Sequence, residues 1–189
     1  RSTLFPYTTL FRSDIPVTTI DGRATTLREH AGKVLLIVNV ASKCGLTPQY
    51  AALEKLHETL GEQGFTVLGF PANDFAGQEP GDEAEITAFC TSTYGVRFPM
   101  YAKIRVTGPD KHPLYAHLTA AAPSAVGREA MEASLRGYGV EPAAKPELLW
   151  NFEKFLVDKL GCVVGRFAPD MAPDAPALVS AIETEVAKA

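Results

Sequence analysis

The sequence predicts an α/β fold in which one central mixed β-sheet is flanked by helices. Three observations carry this expectation. Val34 to Val40 is an apolar run rich in Val and Ile, of the length and composition of a strand buried on both faces. A helical pattern and a second short buried strand follow it, which makes a βαβ unit. Late in the chain, two strand-like stretches joined by a tight turn give an antiparallel pair.

The elements follow in order. Residues 1–13, RSTLFPYTTLFRS, have no secretory h-region or small-residue cleavage site, and TLF occurs twice, at Thr3 and Thr9. They fit a foreign leader, so the expected domain is 14–189. Ile15 to Ile20, Asp21-Gly22 and Ala24 to Leu27 read as a small hairpin with an Asp-Gly turn. After the central strand, Thr47 is a candidate N-cap and Pro48 a first helical residue. Tyr50 to Leu60 places Leu53, Leu56 and Leu60 on one helix face. Phe65 to Phe70 is the second strand. Residues 72–81 form a polar loop that is long for a βα connection, at the end of a parallel strand, where such sheets place function. Asp82 to Tyr94 is a helix with Ile86, Phe89, Cys90 and Tyr94 on one face. Met100 to Val106 is expected as a strand and His112 to Thr119 as a helix. Ala120 to Glu147 reads as an insertion with a short helix near Arg128. Leu148 to Asp158 and Cys162 to Phe167 are the antiparallel pair, and Pro173 to Val186 is a closing amphipathic helix.

Composition narrows the function. A chain of 189 residues, 46% hydrophobic and 21% charged, supports one domain with a sizeable core. A net charge of −4 gives no reason to expect a nucleic-acid or anionic-membrane partner. The longest apolar run falls far short of the roughly 20 residues that cross a bilayer, so stable membrane insertion is not expected. Three distant cysteines make neither a disulfide framework nor a zinc site. The four histidines show no metal-ligand pattern and read as surface or helix-face residues. No metal and no cofactor are expected.

Cys44 is different. It lies in the turn between a buried strand and a helix start, beside Lys43, and both the helix N-terminus and the lysine favour the reactive thiolate. A free cysteine is more often a small buried hydrophobe, but its place in the turn rather than in the apolar run favours a nucleophile. Thr47 stands where a CxxC motif would need its second cysteine, which excludes ordinary dithiol exchange there.

The segments NVASKCGLTPQY, FPANDFAGQEPG, FCTSTYGVRFPMYAKI and LLWNFEKFLVD resemble, in order and spacing, the signature segments of glutathione peroxidases. The resemblance runs from about Asp14 to the C-terminus. It implies a thioredoxin-like fold with an extra N-terminal β-hairpin, and a catalytic tetrad falling on Cys44, Gln78, Trp150 and Asn151 in a cysteine-type member. Gln78, Trp150 and Asn151 are residue types that donate hydrogen bonds without acting as bases, which suits charge developing on a peroxide oxygen. Taken singly, they read as a solvated loop glutamine, a core tryptophan and a strand-start asparagine. Cys90 falls where thioredoxin-dependent members carry a resolving cysteine, although its helix pattern also suits a packing residue. Cys162 reads as structural. Two departures stand out: Ala72, where many relatives have cysteine, and the long 120–147 insertion.

The resemblance implies a thiol peroxidase. It would reduce hydrogen peroxide and organic or lipid hydroperoxides through a Cys44 sulfenic acid and a Cys44–Cys90 disulfide, recycled by thioredoxin or by glutathione, in the response to oxidative stress. A peroxide sensor that relays oxidation to a partner protein uses the same residues, and an inert binding module of the same fold is the third reading. The expected state is a monomer or weak homo-oligomer, and reactive free thiols favour the cytoplasm.

Overall fold

A computed structural model describes residues 13–189, so all but the last residue of the expected leader lie outside the described residues. The hairpin is β1 (Pro16–Thr18) paired antiparallel to β2 (Ala24–Thr26). Then come β3 (Val34–Val40), α1 (Gln49–Leu60), β4 (Phe65–Pro71), α2 (Glu83–Tyr94), α3 (Pro113–Ala121), α4 (Arg128–Gly137), β5 (Lys154–Val157), β6 (Val163–Phe167) and α5 (Pro176–Ala187). The sheet order is β4-β3-β5-β6. β3 and β4 are parallel from Val34↔Phe65 to Val40↔Pro71. β5 runs antiparallel to β3, and β6 antiparallel to β5. The mixed sheet is as expected. Among the described residues no helix is long and apolar enough to cross a membrane.

Every residue of β3 is buried, because helices cover both faces of the sheet. Alternate side chains serve the two faces. Val34, Leu36, Val38 and Val40 pack in one core with Leu53 of α1, Ile86 and Cys90 of α2 and Leu178 of α5. Leu35 and Ile37 point into the other, with Val17 of the hairpin and Leu114, Tyr115 and Leu118 of α3.

Several expectations need correction. Met100 to Val106 is not a strand: it makes single bridges, Met100 with Gly69 and Tyr101 with Thr19, that only close the sheet edge. The strand expected from Leu148 is confined to Lys154–Val157, and the residues before it form a turn. Thr47 does not cap α1; the N-cap is Pro48, with no side-chain bond. His30 is buried rather than superficial, with Nε2 2.7 Å from the Tyr101 hydroxyl.

The 120–147 stretch is tightly held. Arg166, fully buried, pairs with Glu153 (Nε–Oε1 2.6 Å) and donates to the carbonyls of Ala122, Pro146 and Glu147. One guanidinium thus gathers both ends of this stretch. Arg128 donates to the carbonyls of Ala143 and Glu147 from inside it. α4 then lays Met131 and Leu135 on Leu149 and Ala168, with Trp150 against the same cluster.

Lys154 is also fully buried, its Nζ donating to the carbonyls of Pro169 (2.9 Å) and Met171 (2.6 Å). Burial pulls its pKa from an ordinary 10.5 down to about 7. The unfolded chain keeps the ordinary value, so above pH ~7 it binds more proton than the native state, and stability rises with pH. Toward pH ~9 the buried Cys90 thiol, whose pKa is raised, begins to pull the other way. We therefore expect the parent to gain thermal stability from pH 6.5 to 8.5, with a share from His30, His57 and His112, whose pKa values burial lowers, and Lys154→Met to show a smaller gain. Melting curves at the two pH values check it; the same rise in the variant would show that Lys154 is not one of its sources.

Candidate active site

The site forms where the parallel strands β3 and β4 end at their carboxyl sides. β3 ends at Val40, and the chain turns through 41–48 before α1. Thr47 folds this turn: its hydroxyl donates to the Ala41 carbonyl (2.8 Å) and accepts from the Cys44 amide (3.0 Å), while its own amide donates to the Cys44 carbonyl (3.1 Å). That leaves the Leu46 amide free to donate to Cys44 Sγ at 3.3 Å. A backbone N–H at the sulfur is the kind of donor that holds a thiolate. Cys44 is 8% exposed, so it is buried rather than on the open surface.

The loop after β4 is strapped to this turn, for the Lys43 amide donates to the Gln78 carbonyl (3.0 Å). Ala76 (φ 53°) and Gly77 (φ 62°) turn the loop through left-handed conformations just before Gln78. For Ala76 this is a strained state that the surroundings must hold. Asn73 Oδ1 accepts the Glu79 amide (2.9 Å), and the buried Glu79 carboxylate accepts from the Ser42 hydroxyl (3.1 Å). Burial raises the Glu79 pKa, opposed by Ser42 and two lysines.

The third part is the turn before β5. Asn151 is fully buried and its Nδ2 donates to Gln78 Oε1 at 2.9 Å. That contact occupies the Gln78 acceptor and leaves its NH₂ group as a donor. Asn151 Oδ1 is buried without a hydrogen-bond partner. The half-buried Trp150 packs its ring on Phe75, centroids 5.4 Å apart, and lies against the core cluster that contains Cys44. Phe152, the residue after Asn151, has φ 67°, so strained backbone lies within two residues of both amide side chains.

Cys90 sits on α2, 2% exposed, in the same cluster as Cys44, Tyr50 and Phe152. Burial raises its thiol pKa, partly opposed by the nearby Tyr50 hydroxyl. Cys44, Cys90 and Cys162 are all free thiols. Cys162 lies at the other end of the sheet: its neighbour Val163 pairs with Val157, which pairs with Leu35. Five residue steps separate Leu35 from Val40, about 17 Å of sheet.

The structure thus brings Gln78 and Asn151 into direct contact, ties Gln78 to the Cys44 turn, and sets Trp150 on the same core. The sequence reading missed Thr47 as the staple of the Cys44 turn, Glu79 as a buried acid beside it, and Asn39, whose amide meets the 150–153 backbone. Asn39 was visible as the single polar residue in an apolar run. Among the described residues no three His, Cys, Asp or Glu side chains cluster as metal ligands would.

A family model described as "Glutathione peroxidase" matches residues 13–119. The chain is 53% identical over 171 residues to "Thioredoxin/glutathione peroxidase BtuE" of Escherichia coli (strain K12), covering 89% of this chain and 93% of that protein. It is 49% identical over 155 residues to "Hydroperoxy fatty acid reductase gpx1" of Synechocystis, covering 82% and 85%. A thioredoxin-family thiol:disulfide interchange protein from Chlorobium tepidum superposes with a TM-score of 0.59 at 16% identity, over 97% of this chain and 99% of that one. This likeness shows a thioredoxin fold.

Proposed function

The chain belongs to the glutathione peroxidase family and is a thiol peroxidase, and from that premise we propose how its residues divide the reaction. The Cys44 thiolate attacks one oxygen of a hydroperoxide. The O–O bond breaks, the leaving oxygen takes a proton and departs as water or alcohol, and Cys44 becomes a sulfenic acid. Gln78, Trp150 and Asn151 supply hydrogen bonds as charge moves from sulfur to oxygen. The observation that carries this reading is the Asn151–Gln78 contact: it fixes two amides side by side next to the Cys44 turn and orients the Gln78 NH₂ as a donor.

Cys90 is the resolving thiol. Its sulfur bonds to the Cys44 sulfur, hydroxide leaves the sulfenic acid and picks up the thiol proton as water, and a disulfide remains. A disulfide needs Cα atoms within about 7 Å, and local opening of α2 brings the buried Cys90 to Cys44. The helix suits this, because only Ile86 and Cys90 of its twelve residues are buried. Opening also removes the burial that raises the Cys90 pKa, so the thiol becomes nucleophilic only when it is needed. A thioredoxin-type dithiol then restores both thiols by exchange. The name of BtuE gives thioredoxin and glutathione alike as reductants, and the name of the hydroperoxy fatty acid reductase supports lipid hydroperoxides as substrates. Free, reactive thiols suit a reducing cytoplasm.

Steady NADPH consumption with thioredoxin and its reductase, at catalytic enzyme concentration, is the expected result. Turnover with glutathione alone at a higher rate would reassign the reductant, and a stable mixed disulfide with one partner protein would favour a peroxide sensor. Gln78→Ala and Trp150→Phe are each expected to slow the peroxide step by on the order of 10²–10³ with the fold intact, the usual loss for one preorganised donor. Stopped-flow oxidation rates within a few-fold of the parent would sink the donor assignment.

A further inference from the structure

Asn39 is the one polar side chain in the fully buried β3. Its side chain spends both of its hydrogen-bonding groups on a single segment. Nδ2 donates to the Trp150 carbonyl (3.1 Å), and Oδ1 accepts from the Glu153 amide (3.0 Å). Its backbone carbonyl accepts from the Phe152 amide at 2.7 Å. Three bonds from one residue therefore clamp the backbone of 150–153, including the left-handed Phe152.

We propose that Asn39 is a positioning residue for peroxide reduction: it fixes the turn carrying Trp150 and Asn151 at a set distance from the Cys44 turn. The inference rests on the donor roles proposed above. β3 ends one residue beyond Asn39, and Cys44 follows in the turn stapled by Thr47. The nucleophile and its donors are thus referred to one rigid strand, not to two loops. A simpler account is that a buried asparagine merely finds partners to offset its burial. That leaves unexplained why a polar residue stands in the strand at all, since an apolar side chain would bury there without needing partners. The left-handed Phe152 is held by its buried ring and by the Asn39 backbone carbonyl, and the two side-chain bonds fix the residues on either side of it.

The test uses Asn39→Ala and Asn39→Leu. Both remove the two side-chain bonds; the leucine also refills the volume, so a folding failure from the cavity does not end the experiment. Rates of Cys44 oxidation by hydrogen peroxide are compared with rates of Cys44 alkylation by iodoacetamide, which needs the thiolate but not the peroxide donors. The chain has one tryptophan, so emission reports on the turn itself. We expect peroxide oxidation to fall on the order of 10²-fold, alkylation to stay within about threefold, and Trp150 emission to shift. Peroxide rates within threefold of the parent would overturn the proposal. A parallel fall of both rates with the melting temperature, or no folded protein from either variant, would assign Asn39 to the fold alone and overturn it too. Gln78→Ala and Trp150→Phe measured alongside separate the two failures: parental rates there sink the donor roles and this inference together. Slow rates there with parental Asn39 variants sink only the inference.

Discussion

Cys44→Ser will reduce peroxide no faster than buffer does. A serine hydroxyl is scarcely ionised at neutral pH and lacks the nucleophilicity of sulfur, so the first step has no attacking group. The fold will survive. The new oxygen is smaller than the sulfur and so adds no clash, remains an acceptor for the Leu46 amide, and leaves the Thr47 staple untouched. Peroxide consumption followed by stopped flow, with a circular dichroism spectrum to confirm folding, checks this. Most of the parent's activity in the variant would show that the nucleophile lies elsewhere.

Cys90→Ser will separate the two halves of the cycle. Cys44 is unchanged, so about one equivalent of peroxide is still consumed in a single turnover. Steady turnover with thioredoxin then stops, because no intramolecular disulfide forms and the sulfenic acid is exposed to further oxidation. The stability cost is modest. A buried hydroxyl without a partner costs roughly 1–3 kcal/mol, and the Tyr50 hydroxyl, itself buried without a hydrogen-bond partner, lies close enough to offset part of it. If Cys90 only packs, coupled turnover persists and the melting temperature alone falls.

The fold was legible where local pattern and tertiary role agree. VLLIVNV and FTVLGF are buried on both faces and read as buried strands. The capping box at Asp82 and Glu85 marks the start of α2. Pattern misled where a segment is held by single contacts: Met100 to Val106 has strand composition yet only bridges the sheet edge. The ordering of residues 120–147 was invisible for a different reason. Arginines normally read as surface residues, yet Arg128 and Arg166 are buried by partners far away in sequence. The proposed site residues come from the family-like segments that carry them. Their supports were not legible, because Thr47 looks like a helix cap until its hydroxyl is seen bridging Ala41 and Cys44, and Asn39 reveals its partners only once β3 and the 150–153 turn are side by side.

The central claim is that the oxidised enzyme passes through a Cys44–Cys90 bond. Its most direct test is non-reducing peptide mapping by mass spectrometry of the parent after one equivalent of hydrogen peroxide. The account predicts a single intramolecular disulfide, Cys44–Cys90, with Cys162 still free at the far end of the sheet. A Cys44–Cys162 bond, or a sulfenic acid that persists with no disulfide, would contradict it.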